Sequence, residues 1–155
     1  MNLIPYAAID LGYFQTKYMF CRAKGNRPQA GLLPSVAPIV SEQRLARGID
    51  MNSVEVDNGF YIGVDRETRY VGKDARSKDS STAARTVDLD WCLTGEYRAL
   101  YLGTLAHISR QVGATDELSI EVLTVGLPVT NHQSHKDRLI KMSKGTHVVP
   151  SGTGK

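Results

Sequence analysis

Two short apolar segments open the chain, and a turn that contains a glycine separates them. The segments Tyr6–Leu11 and Thr16–Arg22 flank a turn that holds Gly12, a pattern typical of a β-hairpin. Residues 24–35, which follow, contain two prolines and two glycines. Such a composition cannot sustain a helix or a central strand, because proline lacks a backbone donor. We therefore predict a hairpin and then a surface loop.

Alternating and β-branched residues predict more strands in the middle of the chain. The segment Val54–Val64 is interrupted by Asn58 and Gly59, a dipeptide that strongly favours a hairpin turn. A second turn over Asp65–Thr68 then leads to the apolar end of a strand at Arg69–Gly72. The first half is thus expected to form an antiparallel meander, and the polar residues 73–85 are expected to be exposed.

The second half is predicted to run helix, strand, helix. Between Thr94 and Val112, apolar side chains recur every three or four residues, and Gly113 follows as a natural helix end. The segment Ile120–Val125 reads as a buried central strand that stops before a proline. A final helix is expected to begin after a cap at position 130 or 131 and to end at Lys144, before a glycine.

Composition and charge favour a single soluble domain. The chain has 155 residues, of which 41% are hydrophobic and 23% charged, and its formal net charge of +3 is spread without a run of like charges. No segment reaches the roughly 18 consecutive apolar residues that predict a transmembrane helix. Cys21 and Cys92 lack metal-ligand spacing and are expected to be reduced. These features predict a cytoplasmic protein with no membrane partner.

The opening hairpin also carries the residues that point to chemistry. Asp10 ends the first strand, Gly12 follows, and Lys17 comes seven positions after the aspartate. A glycine lets the backbone approach an anion closely, and the N–H groups of the turn can bind phosphate oxygens. A lysine supplies a positive charge for phosphates, whereas an aspartate repels them and is suited to Mg²⁺ or its waters. Gln15 and Thr16 can donate further hydrogen bonds.

The same arrangement is also compatible with an ordinary hairpin in which Lys17 is a solvated strand residue. Three other segments favour the functional interpretation, because with the hairpin they resemble actin-like ATPases, specifically bacterial and plasmid-borne proteins of the ParM/StbA type. They are Leu33–Pro38, Tyr70–Ala75 and Val125–Val129. The resembling segments occur in the family's order and cover nearly the whole chain.

The resemblance implies an α/β fold of the actin-like ATPase (ribonuclease H-like) kind, with a mixed sheet that opens as an antiparallel meander and is flanked by helices. Residues 1–145 would be the N-terminal actin-like domain, which forms the first half of a nucleotide cleft. Residues 146–155 would be a flexible tail or the start of the crossing to a second domain. The implied cofactors are ATP and Mg²⁺. The implied contacts are Asp10, Gly12, Tyr13, Gln15, Thr16 and Lys17, with Asp10 also on the metal side.

The implied function is that of an ATP-binding, filament-forming protein of plasmid or other DNA segregation. Its partners would be itself or full-length actin-like subunits, and a DNA-bound adaptor protein. Only part of the phosphate contact set is matched, so the chain alone is expected to bind nucleotide weakly. No residue matches a catalytic base, so the chain alone is not expected to hydrolyse it. Two alternatives stay open. One is a non-enzymatic interaction domain; the other is a metal-dependent nuclease that would use Glu55, Asp57 and Glu121 with Asp10.

Overall fold

The computed structural model describes residues 2–40, 58–79, 90–127 and 129–150. The fold is α/β, with a mixed sheet and flanking helices, as the resemblance implied. Its elements in chain order are β1 (Asn2–Leu11), β2 (Gln15–Cys21), β3 (Gln29–Pro34), β4 (Gly59–Val64), β5 (Glu67–Gly72), α1 (Ala75–Lys78), a 3-10 turn (Trp91–Leu93), α2 (Gly95–Val112), β6 (Leu118–Gly126) and α3 (Val129–Ser143).

The main sheet has four strands in the order β3-β2-β1-β6. β1 and β2 form the predicted antiparallel hairpin, in which Asp10 pairs with Lys17 and Leu11 with Thr16. β6 runs parallel to β1, and its last residue, Gly126, lies opposite Asp10. The ends of three neighbouring chain segments therefore meet at the tip of the hairpin, where the candidate residues lie.

The prediction of a loop over residues 24–35 was wrong for its second half, since Gln29–Pro34 forms strand β3 against β2. Within the described residues β3 is an edge strand, where Pro34 is tolerated because its missing donor does not interrupt a ladder on both sides. Gly31 lies directly under the ring of Tyr18, where a Cβ atom would clash. Here glycine marks a close packing contact and not a turn.

The prediction of a central position for the strand at Ile120–Val125 was also wrong. The strand exists as β6, but among the described residues it pairs only with β1 and so forms the other edge of the sheet. Val122 on this strand is 48% exposed. A run of apolar residues reports how well the two faces of a strand are covered, and it does not report whether both backbone edges are paired.

A second, two-stranded sheet consists of β4 and β5. These strands are joined at Asp65 and Arg66, which both have positive φ angles, of 52° and 67°, as a tight hairpin turn of the primed type requires. This confirms the second predicted turn. The strand expected before Asn58 falls on residues 54–57, outside the described residues. In the polar segment after β5, Ala75 is buried in α1, and residues 80–85 also lie outside the described part.

Helix α2 joins the two sheets and was predicted to within one residue. The hydroxyl of Thr94 accepts a hydrogen bond from the Tyr97 N–H at its start, and Gly113 adopts a left-handed conformation at its end, with φ of 80°. Its buried face packs on β4 and β5 on one side and on β1 and β2 on the other. The core that results spans both sheets.

Helix α3 confirms the last predicted element, although it begins slightly earlier, at Val129. It ends at Ser143, and Gly145 follows with a positive φ of 99°. Of the predicted tail, residues 146–150 are described: His147 contacts the ring of Tyr101, and Val149 packs against the core. Residues 151–155 lie outside the described residues, and the domain boundary at 145 stays a prediction.

Candidate functional site

Two oppositely charged side chains, those of Asp10 and Lys17, lie together on the exposed face of the hairpin tip. The carboxylate of Asp10 and the ammonium of Lys17 are 3.8 Å apart, and both side chains are more than half exposed. The Asp10 carboxylate also lies beside Gly126, where an added Cβ atom would come within 3.0 Å of it. Glycine at the end of β6 thus leaves room for the Asp10 side chain. Both charges face solvent, where a ligand can reach them.

Strand alternation sorts the other candidates into two groups. Gln15 and Lys17 have their side chains on the exposed face of β2, whereas Thr16 is fully buried. The hydroxyl of Thr16 is hydrogen bonded to that of Ser35 at 2.9 Å inside the protein. The side chain of Thr16 therefore fastens β2 to the segment after β3, and it does not face the site.

The end of β1 is held from below by the tryptophan of the 3-10 turn. Trp91 is buried, and its indole N–H donates to the carbonyl oxygen of Leu11 at 3.3 Å. The ring of Tyr13 lies 5.8 Å from that of Trp91, and the ring of Tyr97 meets Trp91 edge-on at 5.9 Å. Tyr13 thus packs against the support of the turn, which leaves only its exposed part available to a ligand.

The other end of the turn is held by Ser35, which follows β3, and by Arg76 of α1. The carbonyl oxygen of Phe14 accepts two hydrogen bonds, one at 3.2 Å from the Ser35 N–H and one at 3.1 Å from the Arg76 guanidinium. Arg76, Lys73 and Gln15 line a shallow cavity of about 230 Å³ beside β3. Positive charge therefore surrounds the hairpin tip on more than one side.

Burial changes the acid–base behaviour of Tyr97, whose ring contacts that of Trp91. The pKa of the Tyr97 phenol is raised well above its ordinary value, first by burial and then by the nearby Cys92 and Asp10. Tyr97 therefore stays neutral at any physiological pH. It supports the ring of Trp91 as an apolar group, and it does not act as an acid or a base for a ligand on the exposed face.

This arrangement can bind an anion and fits a magnesium nucleotide. Mg²⁺ typically keeps several waters and is held by one or two carboxylates together with phosphate oxygens, so the exposed Asp10 beside Lys17 matches its needs. Across the described ranges, no three His, Cys, Asp or Glu side chains cluster as a protein-only metal site. The hairpin therefore suits a metal that arrives with the phosphates.

The nuclease alternative loses support from the strand register. Glu121 lies between positions paired with Ile4 and Tyr6 of β1, about five residues before Gly126, or roughly 16 Å along the strand from Asp10. Its carboxylate lies 3.9 Å from Lys24 instead. Glu55 and Asp57 fall outside the described residues. Glu121 is thus too distant to share two metals with Asp10.

A larger cavity of about 990 Å³ lies elsewhere, along the outer edge of β6 between α2, α3 and residues 144–150. Apolar side chains dominate its lining, among them Leu105, Leu118, Ile120, Leu139 and Val149. It contains none of the candidate phosphate contacts. Size alone therefore does not mark the site in this protein.

Sequence reasoning missed three residues of the site: Ser35, Arg76 and Trp91. Each acts on backbone atoms of the turn and carries no charge pattern that points there. Trp91 gave one usable signal, because a buried indole N–H needs an acceptor, but the sequence does not say which carbonyl supplies it. Ser35 and Arg76 reach the turn only through tertiary packing.

One family of known proteins matches almost the whole chain. Residues 8–155 match the family described as the N-terminal domain of actin-like proteins. The match covers almost the entire chain, so the chain belongs to this family. No curated protein matches it.

Solved structures share the fold at low sequence identity. AlfA from the Bacillus subtilis plasmid pLS32, determined as a filament, matches with a TM-score of 0.58 and 18% identity over 88% of this chain and 46% of its own. ParM from Bacillus thuringiensis with AMPPNP matches with a TM-score of 0.59 and 16% identity, over 94% of this chain and 38% of its own. Apo pSK41 ParM matches with a TM-score of 0.59 and 17% identity, over 92% of this chain and 42% of its own. The chain thus spans less than half the length of each of these proteins.

Proposed function

We propose that this chain is the N-terminal half of the nucleotide cleft of an ATP-binding, filament-forming protein that segregates plasmid or similar DNA in the cytoplasm. The single observation that carries the proposal is the exposed pairing of Asp10 with Lys17 at the tip of a hairpin, in a chain of the actin-like family. ATP and Mg²⁺ are the proposed ligands. Further copies of the protein and a DNA-bound adaptor are the proposed partners.

Each hairpin residue has a role that its position supports. Lys17 would contact the outer phosphates, and Asp10 would hold Mg²⁺ through its waters. Gly12 would let the backbone approach the phosphates, and the exposed Gln15 would add a hydrogen bond. Tyr13 would contribute a ring edge. Thr16 would act through its backbone and its bond to Ser35, because its side chain is buried.

Two relatives support the nucleotide and filament parts of the proposal. One ParM was solved with AMPPNP, and AlfA was solved as a filament. A second domain would close the cleft in the longer protein. With one half of the cleft, this chain should bind ATP weakly, because affinity depends on enclosing the ligand.

The sole tryptophan makes a direct binding test possible. Trp91 contacts both Tyr13 and the Leu11 carbonyl, so ATP with magnesium bound at the turn should change its fluorescence. Lys17→Ala should abolish this response. Lys24→Ala is the matched control, because Lys24 is also a largely exposed lysine, and its ion pair of 3.9 Å is with Glu121, away from the hairpin tip. Equal responses from both variants would contradict the proposal.

A second measurement tests the expected lack of turnover. The hairpin offers no general base, so phosphate release from ATP by this chain should equal that of Lys17→Ala. Turnover above that control would show that the chain contains a complete active site.

A further inference from the structure

We propose that Arg76 is a positioning residue of the phosphate-binding turn and that it aims the backbone N–H of Gln15 at the nucleotide. The inference rests on the nucleotide-binding function proposed above. It assigns a role to a residue of α1, which belongs to the second sheet's side of the molecule and is distant in sequence from the hairpin.

The Arg76 guanidinium donates to the carbonyl oxygen of Phe14 at 3.1 Å across 62 positions of sequence. The Ser35 N–H donates to the same oxygen at 3.2 Å. Two donors from different elements therefore converge on one carbonyl of the turn and fix its direction more firmly than either could alone.

In a planar trans peptide the C=O of one residue and the N–H of the next point in opposite directions. Because the carbonyl of Phe14 is held toward Arg76 and Ser35, the N–H of Gln15 must point the other way. The same reasoning applies at the end of β1, where Trp91 holds the Leu11 carbonyl at 3.3 Å and thereby orients the N–H of Gly12.

Backbone N–H groups bind phosphate well only when they are already directed at it, since no free energy is then lost in reorienting the turn. A carbonyl oxygen would repel a phosphate. Arg76 and Ser35 hold the carbonyl oxygen of Phe14 on the side opposite to the Gln15 N–H. Arg76 thus acts on the ligand through the peptide it holds, in contrast to Lys17, which acts through its own charge.

Nuclear magnetic resonance of the ¹⁵N-labelled chain can test the proposal. We would compare wild type with Arg76→Ala, Arg76→Lys and Lys78→Ala, first alone and then during titration with ATP and magnesium. Lys78 is the matched control: it lies on the same helix but contacts Asp74 at 3.5 Å and the ring of Tyr70. Thermal unfolding of each variant verifies that it is folded.

Arg76→Ala is expected to shift the Gln15 amide signal before any ligand is added and to weaken apparent ATP affinity about three- to tenfold, as fits the loss of one exposed charged hydrogen bond. Arg76→Lys should recover part of both effects, because lysine can still donate to Phe14. Lys78→Ala should match wild type in both.

The possible failures are distinguishable. Wild-type affinity and an unmoved Gln15 signal in folded Arg76→Ala would overturn the positioning role and leave the proposed function intact. An equal loss of ATP affinity in Arg76→Lys and Arg76→Ala, with the Gln15 amide signal unmoved in both, would also overturn the positioning role. If the wild-type chain itself shows no response to ATP, the proposed function fails and takes this inference with it.

Discussion

Asp10 and Lys17 are paired residues on adjacent strands, and their charged groups lie 3.8 Å apart on the exposed face of the hairpin. The aspartate partly neutralises the lysine and would also repel the phosphates that the lysine attracts. Asp10 would hold Mg²⁺ or its waters, and the positive charge of the ion would offset this repulsion. Asp10 is therefore expected to make ATP binding depend on the metal.

Asp10→Asn tests this role. The wild-type chain should bind ATP several-fold more weakly when magnesium is removed with a chelator, whereas Asp10→Asn should bind ATP similarly with and without the metal. The measurement is a pair of Trp91 fluorescence titrations for each protein. The same magnesium dependence in both proteins would show that Asp10 is not on the metal side.

Acid should destabilise the protein through His107. This histidine is buried on α2, its ring meets that of Phe60 edge-on at 5.0 Å, and burial, followed by the charge of Arg110, lowers its pKa from 6.5 to about 4. Between these two values the unfolded chain binds a proton at His107 and the folded chain does not. Stability from this group is thus complete above pH 6.5 and falls as the pH drops toward 4, by about 3 kcal/mol at most.

Urea unfolding at pH 7 and pH 4.5 measures this effect. His107→Leu should lose stability less steeply between the two pH values than wild type. The control His132→Gln replaces a histidine that is exposed on α3, and it should keep the wild-type pH dependence. Identical pH dependence in wild type and His107→Leu would rule out His107 as the source.

Gly103 is expected to be required for the contact between α2 and the second sheet. A Cβ atom at this position would lie 2.5 Å from a methyl carbon of Val71, which is fully buried in β5. Gly103→Ala should therefore lower the free energy of unfolding by about 1–3 kcal/mol, in spite of alanine's higher helix propensity. Gly63→Ala is the control, because a Cβ atom there meets nothing within 4 Å. Equal stability of the two variants would contradict the packing argument.

Loss of the hydroxyl group should affect the free energy of unfolding differently at Tyr97 and at Tyr18. The buried hydroxyl of Tyr97 has no hydrogen-bond partner among the described residues, so Tyr97→Phe should leave stability unchanged or raise it by up to about 1 kcal/mol. The hydroxyl of Tyr18 accepts a hydrogen bond from Gln111 at 2.6 Å, so Tyr18→Phe should lower stability by about 1 kcal/mol. Urea unfolding distinguishes them, and a similar loss in both would refute the assignment for Tyr97.

The sequence predicted well the features that local chemistry determines. Thr94 and Gly113 mark the two ends of α2, because a hydroxyl can cap a helix start and a glycine can adopt a left-handed conformation. The β1–β2 hairpin followed from its apolar periods and Gly12. Asp10 and Lys17 were assigned to the candidate site by their spacing together with the resemblance of the other segments to actin-like proteins, and the register sets them opposite each other.

Other features depend on packing between distant segments, which a single sequence does not reveal. β3 was missed because Gly31 looks like a strand breaker until the ring of Tyr18 is known to cover it. β6 was placed at the centre because its apolar side chains predicted burial, but none of its residues is fully buried among the described residues and it pairs there only with β1. Arg76 could not be assigned to the site, since its partner is the backbone carbonyl oxygen of Phe14, an atom that every residue has whatever its side chain.

The hairpin tip is proposed to hold the phosphates of ATP, and a residue-by-residue map of ligand-induced amide shifts tests this binding most directly. Titration of the ¹⁵N-labelled chain with ATP and magnesium should shift the amide signals of residues 12–17 and of Trp91 most strongly, and Lys17→Ala should remove these shifts. Shifts concentrated along β6 and its adjoining cavity, or no shifts at all at millimolar ATP, would contradict the account.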